Sequence, residues 1–137
     1  MHILDTNVVS ELRKGTKANR NVRTWAQALP AASLFLSAIS ILELELGILL
    51  VERRDPKQGA VLRSWMNKHV LPAFDGRILA MDTEVAQRCA ALHVPNPQSD
   101  RDAIIAATAL VHGMAVATRN VKHFQPLGVA IVDPWQG

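Results

Sequence analysis

Ile3-Leu4-Asp5-Thr6-Asn7, with His2 before it and Val8-Val9-Ser10-Glu11-Leu12 behind it, runs from a short apolar strand through an acid into a helical pattern. In open α/β sheets, ligands gather in the crevice outside the carboxyl ends of the strands, where loops and helix N-termini converge. Asp5 stands at such an end. It also has an ordinary structural reading, because an Asp there caps the following helix by accepting the free N–H groups of its first turn. What favours the crevice is repetition: strand, acid and helix recur in this order twice more.

Outward from this start, short apolar runs alternate with helical patterns. Strands are expected at Ser33–Ser37, Arg77–Met81, Met114–Thr118 and Val129–Val132. Helices are expected at Asn19–Leu29, from about Ile41 to Arg53, from Ala60 to about Val70, from Asp82 or Thr83 to about His93, and at Asp102–His112, which Gly113 ends. Asp55–Gly59 and Pro95–Ser99 read as loops. Strands apolar on both faces and alternating with helices call for a three-layer α/β fold with a mainly parallel central sheet flanked by helices.

The chain has 137 residues, 49% apolar and 20% charged. That is the balance of a folded globular protein and the length of one domain, spanning residues 1–137. A single cysteine, Cys89, excludes an internal disulfide and reads as a small core residue. No apolar run approaches membrane-spanning length and no basic-then-apolar leader opens the chain, so the expectation is a cytoplasmic protein with no membrane partner. The net charge of +3 is concentrated in two clusters, Arg13, Lys14, Lys17, Arg20 and Arg23, then Arg53, Arg54, Lys57 and Arg63. Basic clusters around an acidic centre suit a protein that holds a polyanion by its phosphates, and equally a solvated positive face.

Two further acids repeat the position of Asp5. Glu43 lies near the head of an almost wholly apolar helix and projects away from Glu45, whose stripe includes Glu52 and is expected to face water. Ser40-Ile41-Leu42-Glu43 also fits a capping box. Asp102 heads a helix whose own face carries Ile105, Ala106 and Ala109, small enough to lie close to the sheet, although Ser99 and Asp100 offer a capping reading there too. Asn120 follows the strand ending Val116-Ala117-Thr118, where it is either a fourth polar ligand or part of an ordinary turn. Three converging carboxylates repel one another, and hard divalent cations such as Mg²⁺ or Mn²⁺ relieve that repulsion through oxygen ligands. The five histidines show no paired zinc spacing and are read as core-edge or surface residues.

Ile3-Leu4-Asp5-Thr6-Asn7, Leu36-Ser37-Ala38-Ile39-Ser40 leading to Glu43-Leu44, Asp102-Ala103-Ile104-Ile105-Ala106-Ala107-Thr108-Ala109 and Ala117-Thr118-Arg119-Asn120 together closely resemble the PIN domain. Within it the chain is similar to toxins of the VapC or FitB type. The resemblance covers essentially the whole chain, down to Pro134-Trp135.

The resemblance implies a Mg²⁺- or Mn²⁺-dependent endoribonuclease, the toxin of a type II toxin–antitoxin pair, cleaving RNA with a metal-activated water. It further implies a homodimer or dimer-based assembly, and a VapB-type antitoxin whose tail enters the active site. By position, Asp5, Glu43 and Asp102 become the catalytic metal ligands and Asn120 a catalytic residue, standing where family members often carry Asp. Thr6 and Thr118 become supporting hydroxyls. Leu42, Leu46, Leu49 and Leu50 spread around one helix and leave an apolar stripe for a partner helix, a dimer contact or neighbouring helices of the same chain. Two alternatives stay open: a haloacid-dehalogenase-like phosphatase, which normally has a second Asp where this chain has Asn7, and a non-catalytic RNA-binding or interaction module.

Overall fold

A computed structural model describes residues 1–137. Five strands form one sheet: β1 (His2–Leu4), β2 (Leu34–Ser37), β3 (Ile78–Leu79), β4 (Ala115–Ala117) and β5 (Ile131–Val132). Their order is β3-β2-β1-β4-β5, and every neighbouring pair is parallel. β1 is central, and the chain builds outward from it first on one side and then on the other. The crevice beyond its carboxyl end is therefore the topological switch point of the sheet. The Asp5 N–H donates to the carbonyl of Ala117 at 2.9 Å, which carries the β1–β4 pairing up to the acid itself.

Successive side chains of a strand face opposite ways, and β1 separates the two cores on this rule. Leu4 packs with Val8, Val22, Leu36, Leu44, Ile48 and Met66. These residues tie α1 (Thr6–Leu12), α2 (Arg20–Gln27) and α3 (Ala38–Arg54) to one face, and α4 (Pro56–Trp65) joins them through Leu62 and Trp65. α4 continues through a π-helical turn at Met66–Val70 into the short α5 (Leu71–Ala73). Ile3 packs the other way, with Ile105, Ala106, Val116 and Phe124. That face is covered by α7 (Asp100–His112) and α8 (Val121–Phe124), while α6 (Thr83–Leu92) packs on α7 through Val85, Cys89, Ala103 and Ala107. Ile105, Ala106 and Ala109 are fully buried, so α7 lies against the sheet on the face that carries Asp102.

Three local expectations are corrected. α3 begins at Ala38, directly after β2, and its cap is Ser37, whose hydroxyl accepts from the Ile39 N–H at 3.2 Å. Ser40 is buried inside the first turn, so no capping box with Glu43 forms. The Glu45–Glu52 stripe faces α4 rather than water, because both carboxylates pair with Arg63, at 2.7 Å and 3.1 Å. Asp55–Gly59 is not a loop: Asp55 caps α4, Pro56 opens it, and Gly59 lies within it. The leucine stripe does remain open, with Leu42, Leu46, Leu49 and Leu50 all exposed.

Gly59 is required by the tight corner between α3 and α4. A Cβ at this position would stand 2.5 Å from the Cα of Glu52, a backbone atom that cannot swing aside. Gly59→Ala is expected to destabilise the protein by about 1–2 kcal/mol, reversing the usual gain in helix propensity. Urea unfolding of the variant beside wild type measures this.

Candidate active site

Asp5 is built into the switch point by two demands met together. It is the N-cap of α1, and its Oδ1 accepts from the Thr6 N–H at 2.8 Å, so the capping reading holds. Its Oδ2 accepts from the hydroxyl of Thr118 at 2.7 Å and from the Asn7 side-chain amide at 3.3 Å. Thr118 comes from the end of β4, which the sheet order places beside β1. The residue is only 5% exposed. Burial pushes the Asp5 carboxyl above its ordinary value, the bonds from Thr118 and Thr6 pull it back, and the charges of Asp102 and Glu43 add to the rise.

Glu43 sits in the second turn of α3, where its Oε1 accepts from the Thr6 hydroxyl at 3.0 Å. Asp102 sits in the first turn of α7. Both are partly buried, with side chains 24% and 18% exposed. Asp5, Glu43 and Asp102 thus share one electrostatic neighbourhood, although no three acidic, histidine or cysteine side chains are already gathered as a closed metal cage. Thr6 and Thr118 are both engaged with these acids. Asn120 is exposed, and its backbone N–H donates to the Thr118 hydroxyl at 3.0 Å while its side chain does not cap α8.

Three residues belong here that the sequence did not single out. Asn7 links Asp5 to the chain beyond Thr118, its amide nitrogen on Asp5 and its oxygen accepting from the Arg119 N–H at 3.4 Å. Its place two residues after Asp5, on a turn that must fold back into a helix, was the available signal. Arg101 Nη1 lies 3.6 Å from Glu43 Oε2, and His123 Nδ1 lies 3.6 Å from Asp102 Oδ2. His123 is exposed as expected, but at the rim of the acids. A groove of about 260 Å³ leads from Thr6 and Glu43 past Ser10, Arg13 and Gly47 to Trp65. Arg13 lies over the Trp65 ring at 5.9 Å.

The donor set is all oxygen, and its deepest member is held against ionisation by burial and by two like charges. A hard divalent cation removes that penalty, so the residues present fit one. Mg²⁺ characteristically keeps several waters and takes only one or two carboxylates plus substrate phosphate, which suits acids that are near one another without closing a cage.

The comparisons agree with this geometry. The PIN domain family model matches residues 2–126. VapC ribonuclease Y4jK from Sinorhizobium fredii is 36% identical over 99% of both chains. Toxin FitB from Neisseria gonorrhoeae is 36% identical over 98% of this chain and 99% of its own. The crystal structure of FitAcB from the same organism superposes with a TM-score of 0.91 at 36% identity, covering 100% of each chain. With its acids at the switch point of a parallel sheet and a family match running from β1 past α8, the chain belongs to the PIN domain family.

Proposed function

We propose that this chain is a toxin of the VapC/FitB type, a metal-dependent endoribonuclease whose Asp5, Glu43 and Asp102 hold Mg²⁺ or Mn²⁺. The observation that carries the reading is a buried carboxylate at the sheet's switch point, with two more acids charging the same neighbourhood. A divalent cation held by such acids acidifies a water and neutralises charge on a phosphodiester. The rest of the work falls to the chain's own residues. Thr118, Asn7 and the Thr6 N–H fix the Asp5 carboxylate, and the Thr6 hydroxyl fixes Glu43. Asn120, anchored through its backbone to Thr118, presents a neutral amide at the rim for water or substrate.

RNA is the substrate in this reading and a VapB-type antitoxin is the partner, whose tail has the groove from Glu43 to Trp65 as its path. The exposed leucine stripe of α3 offers a surface for a second copy or for the antitoxin's helix. A phosphatase of the haloacid dehalogenase kind needs a second Asp where Asn7 stands, and Asn7 instead donates to Asp5. No helix is long and apolar enough to cross a membrane.

The test is cleavage of a mixed pool of structured RNAs by protein freed of its antitoxin. Discrete cuts are expected with Mg²⁺ or Mn²⁺ and none in excess chelator. Cutting that persists in chelator removes the metal from the reading, and a folded protein that cuts with neither ion leaves an RNA-binding module.

A further inference from the structure

Arg101 occupies an unfavourable place. It lies in the first turn of α7, between Asp100 and Asp102. The unpaired N–H groups of a helix start carry partial positive charge, so acids are favoured there and a guanidinium is not. Breaks in such local rules concentrate where a site requires them. Arg101 reaches across to α3 and stands 3.6 Å from Glu43 Oε2, on the oxygen that Thr6 leaves free. At that distance, with the arginine side chain 44% exposed, the contact is an ion pair without a formed hydrogen bond, held weakly and easily exchanged. It is the only guanidinium within 4 Å of Asp5, Glu43 or Asp102. Arg13 and Arg119 are stacked on Trp65 and Trp135.

We propose that Arg101 is a counter-charge shared between Glu43 and the RNA: it pairs with Glu43 in the free protein and passes to an RNA phosphate when the strand binds, more readily once a cation has claimed Glu43. The inference rests on the reading of Asp5, Glu43 and Asp102 as a divalent-cation site. A cation that claims Glu43 repels the guanidinium and weakens its hold. The planar fork of an arginine matches phosphate oxygens, so the released group is a ready contact for the strand lying at the acids. An RNA phosphate that captures Arg101 likewise uncovers Glu43. Metal and RNA then favour each other's binding, and linkage makes the effect equal in both directions. Arg101 is thus an RNA-contacting residue that also sets the strength of cation binding, since the acids need no guanidinium to hold a cation.

The experiment uses the toxin free of antitoxin and reads binding without turnover. Mn²⁺ is titrated into wild type, Arg101→Gln, Arg101→Lys and Asp5→Asn, followed by the electron paramagnetic resonance of free Mn²⁺. A labelled single-stranded RNA is titrated into the same proteins in chelator at several salt concentrations. Arg101→Gln is expected to bind Mn²⁺ about three- to fivefold more tightly, because Glu43 loses its competing charge. The same variant is expected to bind RNA more weakly, with the magnitude of its salt slope reduced by about 0.7, the share of one phosphate contact on a single strand. Arg101→Lys restores the wild-type Mn²⁺ affinity and only part of the RNA affinity, having charge without the fork. A merely structural arginine would move both affinities down together or neither. Mn²⁺ affinity in Arg101→Gln at or below wild type, or unchanged RNA binding, overturns the proposal. Mn²⁺ binding by wild type and its loss in Asp5→Asn show that the metal reading stands even where the Arg101 inference fails. If wild type binds no Mn²⁺, both fall.

Discussion

Asp5→Asn is expected to leave the protein folded, lower metal-dependent RNA cleavage by about a thousandfold, and raise the stability of the metal-free protein at neutral pH. The rate falls because an amide at the switch point offers a cation one neutral oxygen in place of a charged carboxylate. The stability gain has the same physical origin. Burial holds the Asp5 carboxyl above the ordinary aspartate value of 3.8, so between these two values the folded chain binds a proton that the unfolded chain has released. That proton's contribution to stability is complete below 3.8 and is lost as pH rises through the raised value of Asp5. Asparagine stays neutral throughout and loses nothing. The variant should therefore match wild type in acid and exceed it by about 0.5–2 kcal/mol at neutral pH in chelator. Mn²⁺ should close the gap by stabilising wild type alone. Urea unfolding at several pH values, with and without Mn²⁺, reads all three. A variant less stable than wild type in neutral chelator contradicts the buried-charge account, and one that still cuts contradicts the role of Asp5.

The sheet could be read from the chain because its strands are short runs apolar on both faces, a pattern that only a covered parallel sheet satisfies. All five strands fall inside the runs assigned to them. They shrink most at the edges, where Arg77–Met81 reduces to Ile78–Leu79 and Val129–Val132 to Ile131–Val132, because an edge strand pairs on one side only. Helix boundaries failed where no loop separates two elements. Ser37 ends β2 and caps α3 at once, and the more familiar signature at Ser40 pointed three residues too late.

The acids stood out in the sequence because Asp5 falls at a strand end and Asp102 in the first turn of a helix, positions that depend on local pattern, while Glu43 lies one turn further into α3 than its expected place at the helix head. The partners of these acids did not stand out. Helical spacing correctly placed Glu45 and Glu52 on one stripe, yet whether that stripe meets water or Arg63 depends on how α4 folds back. Arg101 on Glu43 and His123 on Asp102 are of the same kind, joining residues whose proximity is decided by the packing of α3, α7 and α8. Thr118 was reachable through its place at the end of β4. That its hydroxyl meets Asp5 follows from the β1–β4 register, in which Leu4 pairs with Ala117.

Thr118→Val is expected to lower the cleavage rate about 10–100-fold, the usual cost of removing a hydrogen-bonded support behind a metal ligand. Thr118 is fully buried, and its hydroxyl serves three neighbours, donating to Asp5 Oδ2 at 2.7 Å and accepting from the Asn120 N–H at 3.0 Å and from the Asn7 side-chain amide at 3.5 Å. Valine fills the same space without the hydroxyl. It strands the Asn120 N–H and removes a bond that lowers the Asp5 carboxyl, so Asp5 should move further above its ordinary value. The acid limb of the pH–rate profile should therefore shift to higher pH, while KM for RNA changes little because Thr118 lies beneath the acid rather than on the groove. Thr118→Ser separates the two properties of the side chain: it gives up the methyl group and keeps the hydroxyl. If Thr118 acts by holding Asp5, serine recovers most of the rate and returns the pH profile while valine does neither. Were Thr118 only filling volume, valine would be the silent substitution and serine the damaging one, so the two variants exchange rank between the accounts.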